Sequence, residues 1–533
     1  MQSTQSSSTK PSRQPRAATD QLDLLITGGR VIDGTGRPAF DADIGVAGDR
    51  IVAISMRGDA PLPMSSATRC IDAIGLTVAP GFIDCHSHDD LAVLDGPDMT
   101  SKVSQGVTTV INGNCGVSLA PLHLPLNGAC NGASLPSPLS LFPASGPRGG
   151  AFRFPDLRAY RTAFEAAPAA VNVAQLIGHG TLRVGAMTDV AREATDAEIA
   201  AMKAKIRESM EAGAIGLSAG LAYDSARCAA TGELVELARA VADCGGLLTM
   251  HLRDEGQRVV ESVAEAIHIG REAGLPIVLS HHKCVGRDAW GLTLSTLRLI
   301  AAARLTNEVG LDLYPYTATS TVLMMDRVES AERVVVTHSI PHPACAGCEL
   351  ADIASDWKLS IAATIERLSP AGAVYFNLHE DDLRRVLAFP GAMIGSDGLT
   401  PPTARAMPHP RLFGTFPRVL GHYSRELGLL SLEQAVHRMT GVPATVFGLP
   451  DRGVIRVGAH ADITIFDAGT IIDRATFDDP TRLSAGIAAV FVNGRQTWAA
   501  PAPRAPPFSF GTSHRPGRWL QRRVRGSMNH TNS

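Results

Sequence analysis

The sequence predicts an α/β fold: a (β/α)8 TIM-type barrel with a small β-sandwich domain assembled from both chain ends and an insert late in the barrel. Three observations predict it. Between residues 76 and 400 a short apolar, β-branched run followed by a polar or glycine-rich cluster and a helical stretch recurs eight times. The runs end as TVAPGFIDCHSH, GVTTVINGNCG, AVNVAQLIGHG, AIGLSAGLAY, GLLTMHLRDEG, PIVLSHHK, GLDLYPY and AMIGSDG. Near-continuous apolar runs are what strands buried on both faces look like, and their alternation with helices implies parallel βα units. Second, the helical stretches carry start signals: Thr195 and Glu198 form a capping box ahead of Ile199, Met202, Ile206 and Met210, and Ser431 with Gln434 repeats the device. Third, the flanks LDLLITGGRVIDGTG, ADIGVAGDRIVAI, GVIRVGAHADITIFD and IAAVFVNGRQTW are strand-turn-strand text with Gly-Gly, Asp-Gly, Gly-Asp and Asn-Gly turns.

The expected organisation is a disordered leader over 1–20, the first part of the β domain over 21–75 and the barrel over 76–440. The second part of the β domain follows over 441–498, and a basic, Pro-containing, solvated tail over 499–533. Residues 317–375 exceed a plain αβ connection and read as an insert, and 121–150 as a long loop after the second strand.

Lys and Arg total 49 against 52 Asp and Glu, a net charge of −3, which gives the chain no bulk attraction to nucleic acid or anionic lipid. No apolar run approaches the ~18 residues that cross a bilayer. The leader lacks the apolar region of a secretory signal, and nine cysteines, an odd number in a long chain, argue against a disulfide framework. A cytoplasmic protein acting on a small molecule is expected, with no membrane or nucleic-acid partner. The oligomeric state is left open.

In such barrels the chemistry sits where the strands end. His86 and His88, two apart at a strand end, point the same way and can offer two nitrogens to one cation. Cys115, His251 and His281 end three other runs. Four imidazoles and one thiol around one barrel mouth suit Zn2+, and five ligands are one more than a tetrahedral site needs. One tight zinc and a second, weaker position are both accommodated. Asp397, ending the eighth run, can ligate metal or take the proton of a water activated beside it. Cys345 and Cys348 form a lone C-x-x-C without a second pair and read as spare thiols.

Taken together, PGFIDCHSH, NGNCG, GHGTLR, GLAY, TMHLRDEG, LSHHK, DLYPY, IGSDG and HPRLFGTFPRVLG resemble the N-acyl-D-amino-acid deacylase (D-aminoacylase) branch of the amidohydrolase superfamily. Many amidohydrolases bridge their metals with a carboxylated lysine; this branch uses a cysteine, matched by Cys115. The resemblance implies that Cys115, His251 and His281 hold the tight zinc and that His86 and His88 approach the second position. It makes Asp397 the general base and acid, gives the substrate carboxylate to Lys283, Arg411 and Tyr314, and gives the scissile carbonyl to Tyr223. The branch usually continues GLxY with x-Pro-Gly, whereas this chain has Asp224-Ser225-Ala226.

The activity so implied is zinc-dependent hydrolysis of the amide of N-acyl-D-amino acids to a carboxylate and a free D-amino acid. A cyclic amidohydrolase of the hydantoinase or dihydroorotase kind is disfavoured by Cys115 in place of lysine, and a noncatalytic scaffold by the complete ligand set. For side-chain preference, Tyr375-Phe376-Asn377-Leu378 matches a stretch that lines the side-chain pocket, and it carries no cation. Neutral, mostly apolar D-amino acids are therefore expected, unless the insert delivers Arg327 or Arg333 into that space.

Overall fold

In the computed structural model the described residues are 21–124, 135–142, 150–400, 405–500 and 514–523. The expected leader, most of the loop over 121–150 and the two ends of the expected tail lie outside them.

Eight parallel strands form the barrel: β1 (Phe82–Asp84), β2 (Val107–Asn112), β3 (Asn172–Gly178), β4 (Gly216–Gly220), β5 (Leu247–His251), β6 (Ile277–Leu279), β7 (Val309–Leu313) and β8 (Ala392–Ile394). Each pairs in register with the next, and β7 with β8. The ring closes just past the strand ends, where Ser87 bridges Gly398, the Asp397 amide donates to the His86 carbonyl at 2.7 Å and the His88 amide to Gly398 at 3.0 Å.

The apolar runs are buried on both faces, as their composition demands. Inside the ring Ile83, Ile111, Leu176, Leu247, Val278 and Met393 form one cluster, plugged from the N-terminal side by Phe447, Leu449 and Leu520. Outside it the strands pack on helices whose starts obey the predicted signals: both capping boxes are formed, at Thr195 with Glu198 and at Ser431 with Gln434.

Strands from both chain ends share a second, eight-stranded sheet, including Leu24–Val31, Phe40–Ala47 and Arg50–Met56 from the expected first part, Thr77–Pro80 from the start of the range expected for the barrel, and Ile463–Phe466, Ile487–Val492 and Arg495–Ala499 from the last. They enclose one apolar cluster to which Leu24, Ile44 and Val46 contribute from one end and Ile463, Ile465 and Phe491 from the other. The insert between β7 and β8 is a three-stranded antiparallel sheet, Ala318–Val322, Ala371–Phe376 and Arg333–Ser339, with the central position held by Ala371–Phe376 and a small core of its own.

The tail departs from the solvated expectation over 514–523. Trp519 is 9% exposed, donates its indole N–H to the Gly213 carbonyl at 3.0 Å and packs edge-on against Tyr160. The Leu520 amide donates to the Val173 carbonyl at 2.7 Å, and Arg515 pairs with Asp98 at 2.9 Å. Charge and proline content suggested solvation, but one tryptophan and one leucine supply the apolar area that docks the strap across the barrel floor. Trp519→Ala should lower the denaturant midpoint, with a loss of about 3–5 kcal/mol as for other large-to-small changes at buried aromatics; a tail without a docked role would leave the midpoint unchanged.

Candidate active site

The mouth of the barrel opens into a cleft. Nine of the ten residues singled out from the sequence line it: His88, Cys115, Tyr223, His251, His281, Lys283, Tyr314, Asp397 and Arg411. His86 lies beneath, with no exposed surface.

All of these side chains except Arg411, which begins the helix Arg411–Arg418, come from strand ends or the residues just past them. Cys115, His281 and Asp397 follow β2, β6 and β8 in left-handed backbone, with φ of 52°, 36° and 48°. That conformation costs a non-glycine residue about 1–2 kcal/mol, and here it turns three strand ends inward over the barrel axis. Gly220 makes room for it: a Cβ there would stand 2.1 Å from the Cys115 carbonyl oxygen.

Two donor groups share Cys115. The ligating atoms of His86, His88, Cys115 and Asp397 all lie within 4.8 Å of one another, as do those of Cys115, His251 and His281. The Cys115 sulfur is 3.2 Å from His86 Nε2 and 3.3 Å from His281 Nε2. Burial lowers the His86 and His281 imidazoles to about 3, so both are neutral, the state in which an imidazole ligates. The His251 Nδ1 atom is buried without a hydrogen-bond partner among the described residues. Soft sulfur and neutral imidazoles converging on common points form a donor set that fits a borderline-soft divalent ion such as zinc.

Charged groups flank the thiol on two sides. Asp397 accepts from His88 Nε2 at 3.1 Å and pairs with Arg411 at 2.9 Å. Burial alone would raise its carboxyl, but Arg411 and His88 outweigh it and hold the group well below the ordinary range. Glu255, on the loop after β5, pairs with Lys283, with Arg327 at 3.2 Å and with His251 at 3.3 Å. It too stays ionised, since burial is outweighed by His251 and Lys283. Tyr314 lies under both cations, 4.5 Å from the Arg411 guanidinium and 5.9 Å from the Lys283 ammonium, and its buried hydroxyl has no partner among the described residues. The Tyr223 hydroxyl is 3.0 Å from Thr321 Oγ1 of the insert.

Sequence reasoning passed over Glu255, although it sits in the motif TMHLRDEG four residues past His251. It also missed the insert's roof of Thr319, Ser320, Thr321 and His338. One expectation is corrected. The stretch 375–378 is not part of the cleft lining: Tyr375 is fully buried, its hydroxyl donating to the Val322 carbonyl at 2.7 Å, and Asn377 accepts from Thr319 at 3.2 Å. Their alternation serves the insert's own core. Arg327, from the helix Met325–Glu329, does line the cleft, so the premise of a cation-free pocket fails. His282 faces away, 2.8 Å from Thr296, and Cys345 and Cys348 are free thiols.

A parallel eight-stranded barrel whose mouth gathers imidazoles, a thiol and a carboxylate defines the class, a barrel hydrolase of the amidohydrolase kind. The chain belongs to the Amidohydrolase family, whose pattern matches residues 69–498. It is similar to D-aminoacylase of Alcaligenes xylosoxydans xylosoxydans, 48% identical over 477 residues that cover 90% of this chain and 94% of that protein. It is also similar to N-acyl-D-glutamate deacylase of the same organism, 46% identical over 505 residues, 94% of this chain and 97% of that one. The structure of N-acyl-D-glutamate deacylase from Bordetella bronchiseptica, in complex with zinc and a phosphonate that mimics the tetrahedral intermediate, aligns with a TM-score of 0.84 at 45% identity, covering 94% of this chain and 100% of that one.

Proposed function

We propose that this enzyme hydrolyses the amide of N-acyl-D-amino acids with zinc as cofactor. The observation that carries the reading is the shared Cys115 sulfur between two groups of ligating atoms, in a chain whose near relatives over almost full length are deacylases of N-acyl-D-amino acids. Cys115, His251 and His281 would hold the tight zinc, and His86 and His88 a second, weaker one. Zinc at such a position supplies Lewis acidity to a carbonyl and lowers the pKa of water.

The protein groups do the rest. Tyr223 donates its hydroxyl proton as a hydrogen bond to the scissile carbonyl oxygen; burial keeps that phenol protonated, its pKa raised well above the ordinary value. Asp397, ionised and without a proton of its own, takes one from the attacking water. It returns that proton to the departing nitrogen as the C–N bond breaks, so the products are a carboxylate and a free amine. Lys283, Arg411 and Tyr314 fix the α-carboxylate, the guanidinium fork and the ammonium being suited to it. Arg327 adds a cation on the same side of the cleft, which supports a preference for acidic side chains such as that of D-glutamate over neutral ones.

Three outcomes test this. Cys115→Ala should lose bound zinc and activity together, by elemental analysis and assay; an active, zinc-replete variant excludes the ligand role. Asp397→Asn should lower kcat by at least ~10²–10⁴, the usual contribution of general acid–base catalysis, with zinc retained. Arg327→Met should lower kcat/KM for N-acetyl-D-glutamate about 10- to 100-fold, the worth of a charge-assisted hydrogen bond of about 1.5–3 kcal/mol, while N-acetyl-D-methionine changes by a few-fold. Equal loss on both substrates would make Arg327 a structural partner of Glu255 only.

A further inference from the structure

The cleft has two chemically unlike sides, and the barrel order sets them apart. Lys283 follows β6, Tyr314 follows β7 and Arg327 comes from the insert after β7. Val117 follows β2, and Pro138, Leu141 and Phe142 belong to the loop after β2. In an eight-membered ring the second and sixth strands stand opposite each other. Lys283 and Arg327 therefore stand across the ring from the origin of a purely apolar wall, Arg411 comes from the segment after β8, two strands from each, and Cys115 and the imidazoles lie between.

That wall is built rather than incidental. Ser137 Oγ donates to the Asp224 carboxylate at 2.8 Å and accepts from the Asp224 amide at 3.1 Å. The Ser225 amide donates to the Ser137 carbonyl at 3.0 Å, and the Ser225 carbonyl is held in turn by Arg183 at 3.0 Å. Arg183 is fully buried and paired with Glu233. Phe142 is 6% exposed and rests edge-on against Phe152, ring centres 5.9 Å apart. The clamp uses the residues at which this chain departs from the x-Pro-Gly continuation of GLxY. A proline at position 225 has no N–H to donate, so the bond to Ser137 depends on Ser225.

Resting on the deacylase reading above, we propose that Val117, Pro138, Leu141 and Phe142 form the subsite for the acyl group, and that it takes alkanoyl chains longer than acetyl. With the amide carbon over the ligating atoms in the middle, a substrate whose α-carboxylate meets Lys283, with Arg411 to one side, has its acyl chain directed away from Lys283 toward that wall. There the chain finds apolar surface already withdrawn from water on its far side. Asp224 and Ser225 are positioning residues, tying the wall to the loop that carries Tyr223.

The test is kcat/KM for N-acetyl-, N-butanoyl- and N-hexanoyl-D-glutamate with the zinc-loaded full-length enzyme and its Phe142→Ala, Leu141→Asn and Asp224→Ala variants. The wild type should gain up to about fourfold per added methylene, the limit set by complete burial of a CH2, until the wall is filled. Phe142→Ala and Leu141→Asn should collapse the hexanoyl-to-acetyl ratio, and Asp224→Ala should reduce it. Leu141 is partly exposed, so its variant gives the reading even if Phe142→Ala does not fold. Hydrolysis of the acetyl substrate with a flat or falling series, or a ratio unmoved in the wall variants, would overturn the subsite alone. Absence of hydrolysis at every chain length would overturn the deacylase reading and the subsite with it.

Discussion

The joint between the first and last barrel strands depends on one fully buried ammonium. Lys102 has no exposed surface, and its Nζ donates to Asp84 and to Ser396 at 2.7 Å each and pairs with Asp89 at 3.0 Å. Asp84 ends β1, two residues before His86; Ser396 follows β8, one residue before Asp397. Asp84 also accepts from the Ser396 amide at 2.8 Å. Burial would lower the lysine, but Asp84 and Asp89 outweigh it and keep it charged. A buried ion pair contributes little net stability, yet losing one partner typically costs about 3–5 kcal/mol because the other charge is stranded. The geometry therefore fixes register more than it adds stability, and the register it fixes sets His86, His88 and Asp397 side by side.

The site repeats the same logic at its rim. Asp397 is balanced by Arg411 and His88, and Glu255 by Lys283, Arg327 and His251. In the proposed reaction a substrate carboxylate enters by joining these ion pairs, which were formed in the fold and do not have to be assembled from water. Left-handed backbone at Cys115, His281 and Asp397 adds strain that the surrounding barrel sustains, a common property of groups held ready for chemistry.

Much of this was legible in the chain. The eight apolar runs fixed the barrel because strands covered on both faces need uninterrupted apolar text, and the capping boxes at Thr195 and Ser431 act over three residues, within reach of local reasoning. His86 and His88 could be paired from spacing alone, and Cys115, His251 and His281 at three other strand ends followed once the barrel was assumed. Glu255 was not recoverable in the same way: it is an ordinary charge in a loop, and its role exists only where two distant segments meet. Arg327 could be named from the sequence only beside Arg333 as a cation the insert would deliver, and the fold chose between them. Tyr375 shows the converse, since its alternation looked like a pocket wall but belongs to the core of the insert.

The sequence by itself determined the periodicities, the caps and the donor types at the strand ends, because these depend on neighbours within a few residues. Only the tertiary structure decided that one sulfur is shared between two ligand groups, that Trp519 straps the barrel floor, and that Lys283 and Arg327 stand across the cleft from an apolar wall. Those features depend on distances between residues far apart in the chain, from the 166 positions separating Cys115 and His281 to the 306 between Gly213 and Trp519. Closing the ring sets such distances, and no local pattern encodes them.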